Sequence, residues 1–160
     1  MLLRGYVSND AAGVWAVLEP VFRAGDTYTI DPDISRFDAV DYWTAHETFV
    51  VEHEGRIVGT YYLRPNQQGG GSHVCNCGYV THPLARGQGV ARAMLEHSLE
   101  TARALGYRAM QYNFVVSNNT RAVATWQNYG FEIVGRLPDA FLHPVDGYVD
   151  AFVMYRRLTG

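Results

Sequence analysis

The amino-acid sequence predicts a mixed α/β fold in one domain, residues 1–160, on three observations. Periodicity separates seven strand-like segments from four helical ones, and no repeat, low-complexity tail or linker interrupts them. The early strands suit a mostly antiparallel meander, whereas a long helix separates the fourth strand from the fifth and returns the chain parallel to it. Composition is the third: 160 residues that are 48% hydrophobic, 13% aromatic and 18% charged bury one sizeable core and are too few for two ordinary domains.

Residues 2–7 alternate as the first strand. Val14, Val17, Leu18 and Val21 then form one face of a helix that Ser8 or Asp10 can cap and Gly25 ends. Residues 26–33 have turn chemistry without a period, a link suited to a substrate lid, and residues 37–46 recover a short helix. Residues 48–54 and 56–63 alternate around Glu54-Gly55 as a hairpin, and residues 65–72, with Gly69, Gly70 and Gly71, read as a flexible loop. The fourth strand begins at His73 and runs to Val80. After a glycine-rich turn, Val90, Met94, Leu95, Leu99, Ala102 and Leu105 follow the helical period until Gly106. A strand over residues 108–116, a helix from Asn119 to Gly130-Phe131, and an antiparallel pair around 131–135 and 148–155 close the chain.

Residues 80–91 carry the strongest chemical signal, an apolar strand that ends in a turn and then Arg86-Gly87-Gln88-Gly89-Val90-Ala91 opening a helix. The first N–H groups of a helix lack intrahelical partners and carry the positive end of its dipole, so an anion there gains several hydrogen bonds together. Gly87 and Gly89 let phosphate oxygens touch the backbone, Ala91 keeps the first turn low, and Arg86 adds charge at the rim. A triphosphate loop is excluded because no Gly-Lys-Ser/Thr follows, and a dinucleotide fingerprint because no Gly-x-Gly-x-x-Gly follows the first strand.

Arg-x-x-Gly-x-Ala after a strand, then Asn119-x-x-Ala122 and a helix stopping at Gly130-Phe131, resembles the GNAT superfamily of acyl-CoA-dependent N-acetyltransferases. The resemblance covers nearly the whole chain and extends through residues 131–135 and 148–155 as that family's last two strands. It implies a GNAT fold in which the fourth and fifth strands splay, with acetyl-CoA as the cofactor. The pantetheine arm would pair with the backbone of Tyr79 and Val80, and a backbone N–H near Tyr79 would face the thioester carbonyl. Gln88, Val90, Asn119, Ala122 and Trp126 join the cofactor-binding set. Residues 110–119 and the 148–151 ending look like the branch that acetylates azetidine-2-carboxylate and related proline analogues.

Thioester aminolysis needs a neutral amine and a departing thiolate. An α-amino group titrates around 7.7–8.0 and a thiol around 8.5, so positioning can do most of the work. Where many family members place a tyrosine proton donor, this chain has Trp126, whose indole N–H cannot serve. Tyr129, three residues on, is the substitute by helical spacing, or else a core aromatic against Phe131. Asn76 and Asn113 interrupt the two apolar strands that splay: either they hold a carboxylate or amine of a small substrate, or each pairs with backbone beside the splay. Tyr28, inside the lid, is a third substrate-binding candidate. The general base stays open among Glu47, Glu52 and a water held by Asn76.

Net charge of −3 argues against broad nucleic-acid binding. Cys75 and Cys77, near His73 and His82, sit at strand spacing, where same-face side chains lie about 6.5–7 Å apart, too far to share one ion, so they read as buried small apolar residues and no metal is expected. His97 reads as an exposed helix residue and His82 as orienting the turn at Pro83. With no long apolar run and no signal peptide, the expectation is a cytoplasmic protein without a membrane partner, acting alone or as a homodimer. The reading is an acetyltransferase acting on a small-molecule amine by direct attack in a ternary complex. A non-catalytic acyl-CoA-binding module and a protein or peptide N-acetyltransferase are the alternatives.

Overall fold

The computed structural model describes residues 1–159. Its strands are β1 (Leu2–Gly5), β2 (Glu47–His53), β3 (Arg56–Pro65), β4 (Val74–Thr81), β5 (Ala109–Val116), β6 (Glu132–His143) and β7 (Gly147–Arg157). The helices are α1 (Ala11–Ala24), α2 (Arg36–Trp43), α3 (Val90–Ala104) and α4 (Thr120–Asn128). One sheet in the order β1-β2-β3-β4-β5-β7-β6 contains all seven strands, and every neighbouring pair is antiparallel except β4 with β5. This is the predicted mixed fold.

Strand alternation sorts the apolar side chains onto two faces. Val14, Val17, Leu18 and Phe22 of α1 and Trp43 of α2 bury Val50, Tyr62 and Val80 on one face. Met94, Leu95 and Leu99 of α3 bury Tyr61, Cys75, Cys77, Met110, Tyr112 and Met154 on the other, with Val123 and Trp126 of α4 packed alongside. Trp43, wholly buried, donates its indole N–H to the Thr60 hydroxyl at 3.0 Å, which ties α2 to the sheet.

Several details depart from the sequence reading, α2 ending at Trp43 rather than at 46 among them. β1 stops two residues early because the Val7 N–H turns to the Asp10 carboxylate at 2.9 Å, and Ser8–Asp10 forms a 3₁₀ turn. Neither Ser8 nor Asp10 caps α1 with its side chain; Asp10 receives a two-pronged bond from Arg4 at 2.8 and 3.0 Å, which holds its carboxyl below the usual range. β6 continues through Leu137-Pro138-Asp139 to His143, well beyond the strand expected around 131–135. An edge strand tolerates proline, and a register shift there puts Asp139 at φ 49° with its N–H on the Asp150 carboxylate at 2.9 Å.

Candidate active site

The turn between β4 and α3 is shaped by backbone. Gly87 and Gly89 adopt φ of 78° and 82°, the left-handed region that side chains disfavour. A Cβ built at either meets nothing within 4 Å, so open space lies where an incoming anion would touch the backbone. No side chain caps α3, no acidic residue occupies its first turn, and its first bond runs from Ala93 N–H to Gly89 O at 3.0 Å. The N–H groups of Val90, Ala91 and Arg92 therefore begin the helix without helical partners. Arg86, Gln88 and Ala91 are exposed around this end, while Val90 is buried and anchors it. His82 Nδ1 accepts the Leu84 N–H at 3.1 Å and fixes the turn at Pro83. These residues fit a pyrophosphate.

From this turn a cleft runs down between β4 and β5, which pair only at Val74 with Ala109 and Cys75 with Met110. Asn66 N–H bonds Val74 O and His82 N–H bonds Val58 O, so even-numbered residues of β4 direct their backbone groups toward β3. His73 O takes the Arg108 N–H, and by the same alternation Cys77 and Tyr79 direct theirs into the opened gap. An extended amide chain can pair there as an added strand. At the fork, Asn76 Nδ2 donates to Gln111 O at 2.9 Å and Asn76 Oδ1 accepts from the Tyr62 hydroxyl at 3.3 Å. The side-chain amide thus spans the strands just where their backbones part.

Tyrosines close the cleft on both faces. Toward α3 and α4, the Tyr79 hydroxyl meets Ser98 Oγ at 2.7 Å and the Tyr112 hydroxyl at 3.0 Å, and Trp126 lays its ring 5.5 Å from Tyr79 and 4.8 Å from Tyr112. Toward α1 and α2, the Tyr28 hydroxyl donates to the Tyr79 carbonyl at 2.8 Å, its ring edge-on to Phe22 and Trp43. Burial holds the phenols of Tyr28, Tyr79 and Tyr112 well above their ordinary range, and it raises the Cys77 thiol likewise.

The remaining predicted residues are placed as follows. Asn113 is exposed, donating to Asn66 Oδ1 at 2.7 Å and accepting from Gln111 Nε2 at 2.9 Å. Tyr129 donates to Glu96 Oε1 at 2.7 Å, across to α3, and that bond raises its pKa. Asn119 caps α4, its Oδ1 accepting the Ala122 N–H at 3.4 Å. Glu47 is exposed at the start of β2, and Glu52 lies 3.8 Å from Arg4; β3 stands between both and β4. His97 is not an exposed helix residue: it borders the buried stripe of α3, and its Nδ1 lies 2.6 Å from the Tyr61 hydroxyl. Sequence reasoning missed Arg64, whose guanidinium stands 4.6 Å over Tyr62 and donates to the Tyr42 hydroxyl at 3.2 Å, and which lies opposite Asn76 in the β3–β4 register. Its signal was one cation ending the apolar run Tyr61-Tyr62-Leu63.

A profile of the acetyltransferase (GNAT) family matches residues 18–131. The N-acetyltransferase aca1 of Schizosaccharomyces pombe is 27% identical over 148 positions, 81% of this chain and 71% of that one. A GCN5-related N-acetyltransferase from Kribbella flavida superposes with a TM-score of 0.93 at 34% identity, covering 98% of this chain and 96% of that one. A phosphinothricin acetyltransferase from Sinorhizobium meliloti, solved with acetyl-CoA, has the same fold, with a TM-score of 0.86 at 19% identity over 99% of this chain and 88% of that one. The chain belongs to the GNAT family and is an acetyl-CoA-dependent N-acetyltransferase.

Proposed function

We propose that the acceptor is the amine of a small molecule and that it attacks the acetyl carbonyl directly while both ligands are bound. The observation that carries a small acceptor is the packing of Tyr28, Ile30 and Ile34 against the α1–α2 core, which keeps residues 25–35 beside β4 in place of an open peptide groove. Asn76 and Asn113 occupy even and odd positions of two parallel strands whose side chains meet one face, beside Asn66 and Arg64. Arg64 makes no ion pair among the described residues, so an acceptor bearing a carboxylate has a cation to meet. The resemblance to the azetidine-2-carboxylate branch supports the same class.

In this reading Arg86 and the α3 N-terminus hold the pyrophosphate, and Cys77 and Tyr79 hold the pantetheine arm. The Tyr79 N–H donates to the carbonyl oxygen as negative charge develops there. Asn119, Ala122 and Trp126 border the arm from α4. No carboxylate stands on β4 or β5, so the amine loses its proton to water rather than to a fixed base. Tyr129, already bonded to Glu96, leaves thiolate departure largely unassisted.

A thiol-release assay with acetyl-CoA over amino acids, proline analogues, polyamines, aminoglycosides and peptides tests this. Release with amino acids or proline analogues is the expected result. Release with peptides alone, or none with any amine, overturns it. No helix among the described residues is long and apolar enough to cross a membrane. We place the enzyme in the cytoplasm as a single domain, and exposed Leu142, Val145 and Tyr148 on the β6–β7 hairpin support a homodimer that light scattering would detect.

A further inference from the structure

Tyr28 stands out because its hydroxyl bonds the sheet at a place where a strand should be. The Tyr79 carbonyl faces the gap opened by the splay, and the hydroxyl sits 2.8 Å from it, the distance a strand-pairing N–H would keep. Resting on the reading that acetyl-CoA threads this gap, we propose that Tyr28 is a latch: its hydroxyl and an amide of the pantetheine arm compete for the Tyr79 carbonyl. While the phenol holds that oxygen, residues 25–35 are pinned on β4. When the arm takes it, the segment loosens about Gly25 while Ile30 and Ile34 still hold it against the core, and Tyr28 becomes a positioning residue for the acceptor.

Three observations make the latch releasable. The segment has no helix or strand between α1 and α2, and it begins at Gly25, whose φ of 67° gives it a hinge. The Tyr28 ring contributes edge-on contacts to Phe22 at 5.6 Å and Trp43 at 5.9 Å, which tolerate a small rotation better than interdigitated packing does. Next to it, Thr27 Oγ1 is buried without a hydrogen-bond partner, a polar group that a shifted segment could satisfy. Burial keeps the phenol protonated and therefore a donor throughout the neutral range.

The experiment is hydrogen exchange of the wild-type protein with and without coenzyme A, paired with calorimetry of Tyr28→Phe. Binding of coenzyme A should speed amide exchange in residues 26–34 while slowing it in β4 and at the start of α3, the reverse of the general protection a ligand usually confers. Tyr28→Phe keeps the ring and removes the competitor, so it should bind coenzyme A about five-fold tighter, the equivalent of one hydrogen bond. The KM for the amine should meanwhile rise. A side chain needed only for packing would weaken both ligands. If coenzyme A protects β4 but residues 26–34 become protected or stay unchanged, the latch is wrong and the threading of the gap stands. If coenzyme A fails to protect β4 and α3, the threading of the arm through this gap falls and the latch falls with it. Should Tyr28→Phe misfold, the wild-type exchange pattern alone decides.

Discussion

The two halves of the proposed active site are built from different materials. The cofactor half is backbone: Gly87 and Gly89 in left-handed conformations, an α3 N-terminus without a side-chain cap, and two residues of β4 facing a gap. The proposed acceptor half is side chain: Tyr28, Arg64, Asn66 and Asn113, gathered from three places in the chain. A backbone site depends on local conformation and recurs wherever the same short motif folds, whereas a side-chain site depends on tertiary placement and can change with each residue. One scaffold can therefore keep its cofactor and exchange its acceptors.

The sharpest way to break this contrast is to fill the cradle. Valine at position 89 would strain the left-handed backbone as well as block the anion, which confounds the result. Asparagine accepts that conformation more readily, so Gly89→Asn isolates the block. It should weaken acetyl-CoA binding by roughly ten- to a hundred-fold in calorimetry, since several hydrogen bonds to one anion are lost together. The melting temperature should move only slightly. Unchanged affinity would remove the pyrophosphate from this turn.

Asn76 tests the boundary between the halves. It lies on the acceptor face, yet its amide bonds Gln111 O and the Tyr62 hydroxyl at the fork of the strands. Asn76→Ala should leave that carbonyl unpaired and cost about 1–3 kcal/mol, or roughly 2–4 °C of melting temperature for each kcal/mol. The KM values for both substrates should rise together. A rise confined to the amine, without loss of stability, would make Asn76 a substrate ligand instead.

The same division explains what was legible beforehand. The β4–α3 turn could be read because Gly87, Gly89 and the period of Val90, Met94 and Leu95 are local signals that tertiary context seldom overrides. The β2–β3 hairpin followed from its short connection and the parallel β5 from the long helix before it, whereas β1, joined to β2 through two helices, was placed by the family resemblance. Asn76 was visible as an oddity in an apolar strand, but its choice between substrate and backbone depended on how far β5 diverges, which no local pattern encodes. Arg64 showed only as a cation ending an apolar run, and Asn66 was invisible because an asparagine after β3 looks like any strand end. The long β6 was hidden for the opposite reason: Pro138 and Asp139 are strong turn signals that an edge strand absorbs.

Proton transfer offers a subtler probe. Glu47 and Glu52 lie beyond β3 from the cleft, and β4 and β5 carry no carboxylate. The rising limb of kcat/KM against pH should then follow the amine's own pKa. Two good acceptors whose amines differ by one unit should show limbs displaced by about one unit, close to a tenfold difference in rate below both values. A limb that stays fixed while acceptors change would reveal a base on the enzyme.

Tyr129 is expected to have the smallest effect, and it bears on whether the lost donor has a successor. Its hydroxyl donates to Glu96, and because that bond favours the protonated phenol, its pKa is raised and proton release becomes harder than for free tyrosine. Spending the proton on a thiolate would also break the contact from the end of α4 to α3. Tyr129→Phe should therefore lower kcat less than about three-fold, whereas loss of a true general acid costs about 10²-fold or more. The alkaline limb should be the same in both proteins, since a raised phenol does not titrate below its ordinary value near 10. A hundred-fold loss with acetyl-CoA affinity intact would mean that Tyr129 leaves Glu96 during turnover and supplies the proton that Trp126 cannot.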